Sequence, residues 1–208
     1  MIRLPTLQGM IDRLQDALAG ADLSAPARAA LVKVFDRLKV PGPVGVLAGV
    51  PHDQPAGQSA AEVLAVTDLL APAIAALTAR PDALAALARS LADLAPALVW
   101  TTRKAVGPTA SAGFPAAHAN TMLVGPGGLE DRADVMIGLS LMAPHTRYPD
   151  HDHAPEEVYL VLSDGAFLQG DADWLARKPG QTVYNSPGLR HAMRAGGQPF
   201  LALWCLPI

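Results

Sequence analysis

The sequence predicts an α+β protein, with a helical region over residues 1–99 followed by a β-barrel of the double-sheet, jelly-roll type over residues 100–208. Three observations carry that division. The first hundred residues are rich in Ala and Leu and poor in reactive side chains. All six histidines lie from His52 onward, and Tyr148, Tyr159 and Tyr184 all fall in the last third. Apolar residues recur at helical spacing in the first part, whereas short β-prone runs separated by Gly, Pro and Asp turns fill the second.

The helices follow in order. Leu7–Leu18 carries Met10, Ile11, Leu14 and Leu18 on one stripe, with Asp12, Arg13 and Asp16 off it. Ser24–Leu38 repeats the pattern through Leu31, Val32, Val34, Phe35 and Leu38. Residues 41–55 read as a Pro/Gly loop. Ser59 with Glu62 forms a capping box ahead of a helix over Val63–Leu77. Pro81 suits the first turn of a helix running to about Leu94, and Pro96 lies beyond its end.

After Trp100 the predicted strands are residues 133–142, 157–163, 166–170, 174–177, 181–185, 191–195 and 200–206. Asp164-Gly165 is a hairpin signal, and Lys178-Pro-Gly180, Ser186-Pro-Gly188 and Gly196-Gly197 separate later runs. Many short strands at close spacing indicate a sandwich or barrel.

Composition removes several function classes. Half the chain is hydrophobic and 17% is charged, enough apolar surface to exclude disorder. A net charge of −3 argues against nucleic acid or an anionic membrane as partner. The most apolar stretch, Leu69–Leu77, is short and broken by Pro72, so no membrane span is expected. Cys205 is the only cysteine, which excludes an internal disulfide and a thiolate zinc site. The first residues show no apolar leader, and a cytoplasmic location is expected.

The strongest chemical signal is His151-Asp-His153-Ala-Pro-Glu-Glu157. On an extended strand His151 and His153 point the same way, and a turn at Ala154-Pro155 lets Glu157 face them. Pro187-Gly-Leu-Arg-His191 supplies a third imidazole from another strand. Three nitrogens and one oxygen suit one divalent transition metal (Fe, Mn, Co, Ni or Zn), whereas calcium and magnesium favour all-oxygen shells. Tyr159 shares the face of Glu157. Arg190 and Arg147 should point away, and His52, His118 and His145 lack partners at ligand spacing.

These two motifs closely resemble those of the cupin superfamily, whose double-stranded β-helix holds one metal through three His and one Glu. Departures are Gly188 directly after Pro187, Ala195 in place of the closing Asn, and Gly165 one residue late. The segments Gly125–Gly128, Leu141–Ser163, Trp174 and Ala202-Leu-Trp204 further resemble the dimethylsulfoniopropionate (DMSP) lyases among the cupins. That resemblance implies His151, His153, Glu157 and His191 as ligands, Tyr159 as catalytic base and Tyr148 as a second active-site tyrosine. The implied reaction is β-elimination of dimethyl sulfide from DMSP, leaving acrylate.

A sulfonium zwitterion needs aromatic faces for its cation. Tyr148 and Trp204 are the preferred pocket aromatics, with Tyr184 and Trp174 as further candidates. The expected partner is therefore a small carboxylate, with a homodimer left open. Two alternatives stand beside the lyase: a cupin dioxygenase, isomerase or lyase for another small acid, and a non-catalytic cupin that binds a small ligand. Retention of both Tyr148 and Tyr159 favours the lyase.

Overall fold

The computed structural model describes residues 2–45, 65–104 and 106–208. The helices are α1 (Pro5–Ala19), α2 (Ala25–Leu38), α3 (Leu70–Thr78), α4 (Ala83–Leu94) and the short α5 (Phe114–Ala117). The strands are β1 (Trp100–Thr101), β2 (His118–Val124), β3 (Val135–Met142), β4 (Arg147–His151), β5 (Glu157–Val161), β6 (Gly165–Gln169), β7 (Leu175–Arg177), β8 (Thr182–Asn185), β9 (His191–Ala195) and β10 (Phe200–Pro207).

Local chemistry explains the helix ends. Ser24 Oγ accepts a hydrogen bond from the Ala27 N–H at 3.3 Å and caps α2. Asp82 does the same for α4 through the Leu84 N–H at 3.1 Å, so α4 starts at Ala83 and Pro81 lies ahead of the cap rather than in the first turn. The helix expected over Val63–Leu77 is divided: Ala65–Leu69 is a 3-10 helix, and α3 begins at Leu70. Pro72 has no N–H to offer the Asp68 carbonyl and crowds it, so regular α-helix starts only where Pro72 falls in the first turn. Ser59 and Glu62 lie outside the described residues.

All strand pairings are antiparallel within two sheets, β1-β2-β3-β10-β5-β8 and β4-β9-β6-β7. This is the helical region plus jelly-roll barrel that the sequence predicts. The larger sheet is buried on both faces. On β5, Val158, Leu160 and the following Leu162 pack with the helices, whereas Tyr159 and Val161 face the space between the sheets. On β10, Leu201, Leu203 and Cys205 take the helical side, and Phe200, Ala202 and Trp204 the inner side. Period-two alternation sorts residues between two buried environments here, so it is not visible as alternating polarity. That explains why β2 escaped the sequence reading. β4 escaped it because Pro149 sits inside it and a bulge interrupts its pairing with β9. Among the described residues, no helix is long and apolar enough to cross a membrane.

A buried ionic network fastens the N-terminus to the barrel. Glu130 accepts from Arg3 Nε and, at 2.8 Å, from Arg132. It also takes the Gly42 N–H at 2.9 Å. Arg3 further donates to the Leu38 carbonyl at 2.7 Å. Burial alone would raise the Glu130 carboxyl, but Arg3, Gly42 and Arg132 together hold it below its ordinary range. Glu130→Ala would leave the Arg3 guanidinium, 4% exposed, without its counter-charge. The expected loss is about 3–5 kcal/mol, read as a lower urea midpoint with unchanged slope. Because the folded pKa lies below the unfolded one, the stabilisation is complete above the unfolded value and is lost as pH falls through the folded value. The difference between Glu130→Ala and the parent should therefore shrink on acidification.

Candidate metal centre

The barrel brings strand ends from both sheets together. His151 closes β4 and pairs in register with His191, the first residue of β9. Glu157 opens β5 opposite Asn185 of β8. His153 belongs to the turn between β4 and β5, not to a continuous strand with His151 as the spacing suggested. The ring centroids of His151 and His191 are 4.1 Å apart, those of His153 and His191 5.1 Å, and those of His151 and His153 6.2 Å. Nε2 of His153 and Nε2 of His191 each lie 3.3 Å from Glu157 Oε2.

The backbone engages the Nδ1 atom of all three imidazoles. Each imidazole donates from Nδ1 to a backbone carbonyl two residues away: His151 to Pro149 (2.9 Å), His153 to Pro155 (2.8 Å) and His191 to Leu189 (2.8 Å). In His151 and His191 these bonds favour the tautomer that leaves the Nε2 lone pair free, whereas His153 Nε2 shares a hydrogen with Glu157 Oε2. His191 Nε2 is sealed from solvent without a hydrogen-bond partner, an atom that burial would penalise unless something coordinates it. The candidate ligand atoms of His153, Glu157 and His191 all lie within 4.8 Å of one another, so this group can hold a metal ion. His151 faces the same cavity from beside His191.

Charge follows geometry. Burial would raise the Glu157 carboxyl, yet His153 and His191 lower it to about 2, so it is a carboxylate. Asn185 Nδ2 donates to Glu157 Oε2 at 3.0 Å, and Gln169 in turn donates to Asn185 Oδ1 at 2.7 Å, which orients the carboxylate. Burial, then the neighbouring His191, lower His151 to about 4 and keep it neutral. Burial and then the Glu157 charge push the Tyr159 phenol well above its ordinary value.

The site opens into a cavity of about 240 Å³. Tyr148, Tyr159 and Trp204 supply its aromatic wall, and Met136, Met193 and Leu206 an apolar one. Arg103, Asn120 and Ser140 complete the lining with His151, His153 and Glu157. The other two aromatics expected in the pocket lie elsewhere. Val183 pairs with Tyr159 and shares its inner face, so Tyr184 points outward, where it packs beside the helical core and donates to Glu156 at 2.8 Å. Trp174 lies outside the smaller sheet between Arg147 and Arg194, whose guanidinium carbons are 5.2 and 4.4 Å from its ring. Arg190 is also external, paired with Asp171 and Asp150. His118 is fully buried and satisfied, donating to the Phe114 carbonyl and accepting from the Arg103 N–H. His52 lies outside the described residues.

Arg103, Asn120, Met136, Ser140, Met193 and Leu206 are cavity residues that the sequence reading did not select. Met193 was within reach, because it stands two places after His191 on one strand and so shares its face. Asn120 and Ser140 required β2 and its register with β3.

Comparison with known proteins agrees with this geometry. A family model described as dimethylsulfoniopropionate lyase matches residues 46–202. A putative dimethylsulfoniopropionate lyase, DddL, of Cereibacter sphaeroides is 32% identical over 110 residues, 53% of this chain and 45% of that protein. The dimethylsulfoniopropionate lyase DddQ of Ruegeria pomeroyi is 33% identical over 82 residues, 39% of this chain and 41% of its own. The matched stretch thus spans less than half the length of either curated relative. The crystal structure of that DddQ superimposes with a TM-score of 0.61 at 22% identity, over 98% of this chain and 92% of the other. A structure reported with the DMSP lyases RdDddP and RnDddQII gives 0.59 at 23% identity over the same shares. The structural likeness carries the fold, and the family model, matched across helical region and barrel alike, carries the assignment: the chain belongs to the dimethylsulfoniopropionate lyase family.

Proposed function

We propose that this protein is a metal-dependent carbon–sulfur lyase that cleaves DMSP to dimethyl sulfide and acrylate. The observation that carries the reading is the single cavity in which Tyr159, Tyr148 and Trp204 face the His151, His153, Glu157 and His191 cluster. Those four side chains would hold the ion, and nitrogen-rich mixed donors suit Fe, Mn, Co, Ni or Zn. A bound divalent ion would supply Lewis acidity for the developing enolate and offset the Glu157 charge, which adds to burial in keeping Tyr159 protonated.

Tyr159 then acts as the general base. Its Oη takes the proton from the carbon α to the substrate carboxylate. The electron pair of that C–H bond becomes the C=C bond of acrylate, and the C–S bond breaks with its pair remaining on sulfur. Before cleavage the sulfonium is a cation without hydrogen-bond donors, and the faces of Trp204 and Tyr148 offer it a matching surface. Met136, Met193 and Leu206 present no donor that would compete for the carboxylate, and they exclude water beside the leaving group.

The deciding measurement is headspace dimethyl sulfide from purified, metal-loaded protein supplied with millimolar DMSP. Acrylate and dimethyl sulfide should appear in equal amounts and cease after chelation. No release from protein of verified metal content would overturn the reading.

A further inference from the structure

Trp204, Ser140, Asn120 and Tyr148 form a directed hydrogen-bond chain along the cavity wall, and all four line the cavity. Trp204 Nε1 donates to Ser140 Oγ at 3.2 Å. Ser140 Oγ donates to Asn120 Oδ1 at 2.8 Å, and Asn120 Nδ2 donates to Tyr148 Oη at 3.2 Å. The direction is set by chemistry at the first member, because an indole N–H can only donate. Ser140 must accept there, so its single hydrogen goes to Asn120. That bond turns the amide so that its NH2 group faces Tyr148.

The fold builds the chain deliberately. Asn120 and Ser140 are direct cross-strand neighbours on β2 and β3. Gly138 stands two residues before Ser140, opposite Trp204. A Cβ at Gly138 would lie 2.2 Å from the indole ring and 2.4 Å from the Thr121 carbonyl oxygen. Only glycine lets the indole lie across β3 to reach Ser140. At the other end Tyr148 is held by its ring, 5.0 Å from Phe114 edge-on and 5.0 Å from His151.

We infer that Trp204, Ser140 and Asn120 are positioning residues that hold Tyr148 Oη as an acceptor and thereby aim its O–H into the cavity as a donor to the anionic end of the substrate. A phenolic hydrogen lies in the ring plane and has two positions. With the Asn120 amide occupying one side of the oxygen, the hydrogen takes the other. The two tyrosines are thus assigned different work: Tyr159, on the same face of β5 as Glu157, is the base, and Tyr148 is the hydrogen-bond donor to the carboxylate as it gains enolate charge. The role in turnover rests on the DMSP lyase reading; the orientation of Tyr148 does not.

The test uses the whole 208-residue chain carrying [13Cζ]tyrosine. Its only tyrosines are Tyr148, Tyr159 and Tyr184, so three single Tyr→Phe variants assign the spectrum. Asn120→Asp keeps the shape but replaces the amide donor with a carboxylate that can only accept, which draws the Tyr148 hydrogen out of the cavity. The Tyr148 resonance should shift, with the outward-facing Tyr184 resonance and the metal content unchanged. In turnover, Asn120→Asp should lower kcat about 10²-fold with a smaller change in KM, as expected for a donor that acts on developing charge. The double variant with Tyr148→Phe should be no slower than Tyr148→Phe alone, and Ser140→Thr should retain the activity that Ser140→Ala loses. An unmoved Tyr148 resonance in Asn120→Asp overturns the chain whatever the activity. Losses that multiply in the double variant overturn the positioning role. A shifted resonance in a protein that releases no dimethyl sulfide overturns the reaction assigned to the site and upholds the orientation of Tyr148.

Discussion

Tyr159→Phe should retain the metal and lose turnover by about 10²–10⁴-fold, the usual contribution of a positioned general base. The substitution removes one oxygen from a side chain whose ring remains supported, since Phe167 packs 5.2 Å away and Val161 and Val183 lie in the same inner core. Folding and cavity shape should therefore survive, and a lower rate reports chemistry. Without a metal, burial and the Glu157 carboxylate hold this phenol well above its ordinary pKa, so it is protonated at neutral pH. The proposed mechanism needs the opposite state. Parent kcat/KM should accordingly rise with pH as the phenolate forms, and that limb should be missing from the residual activity of Tyr159→Phe. A variant with full rate at unchanged metal content would remove Tyr159 from the mechanism. Metal analysis alongside the pH–rate profile separates the two cases.

What could be read in advance depended on how local each feature was. His151, His153, Glu157 and Tyr159 fall within nine residues, so their convergence needs only one turn and the alternation of one strand. His191 is distant in sequence, but its Pro-Gly turn announces a strand start, and β9 indeed begins there. Faces on other strands could not be assigned that way. Tyr184 and Val183 are adjacent on β8, and only the register that sets Val183 against Tyr159 decides which of them faces inward. A one-residue shift would exchange them. Trp174 precedes β7 rather than lying within it, and its place between Arg147 and Arg194 is a tertiary contact with no local signature.

The same limit applies to polar residues inside the barrel. Asn120 and Ser140 look like ordinary solvent-facing positions in a sequence, yet they line a cavity and satisfy one another across strands. The Arg3–Glu130 pair joins residues 127 positions apart, which no pattern of spacing anticipates. Buried polar groups of this kind become legible only when the partner strand and its register are known.

Glu157→Gln should have the complementary effect to Tyr159→Phe, losing metal first and turnover as a consequence. The substitution preserves volume and still allows an amide oxygen to face His153 and His191, but it removes the only negative charge in the ligand group. Loss of outer partners that orient a ligand typically costs about 10–100-fold in metal affinity, and loss of a charged ligand should exceed that. The change should also be visible in stability. An ion bound at about 1,000 times its Kd stabilises the folded state by about 4 kcal/mol, so chelation should lower the parent Tm while leaving that of Glu157→Gln nearly unmoved. Glu157 is ionised beside imidazole nitrogens 3.3 Å away and held in place by Asn185, a geometry that would suit coordination of the proposed ion. If Glu157→Gln held metal as tightly as the parent, the charge would not belong to the ligand set. If it lost both metal and activity while Tyr159→Phe lost only activity, the two residues would divide into one that holds the ion and one that moves the proton.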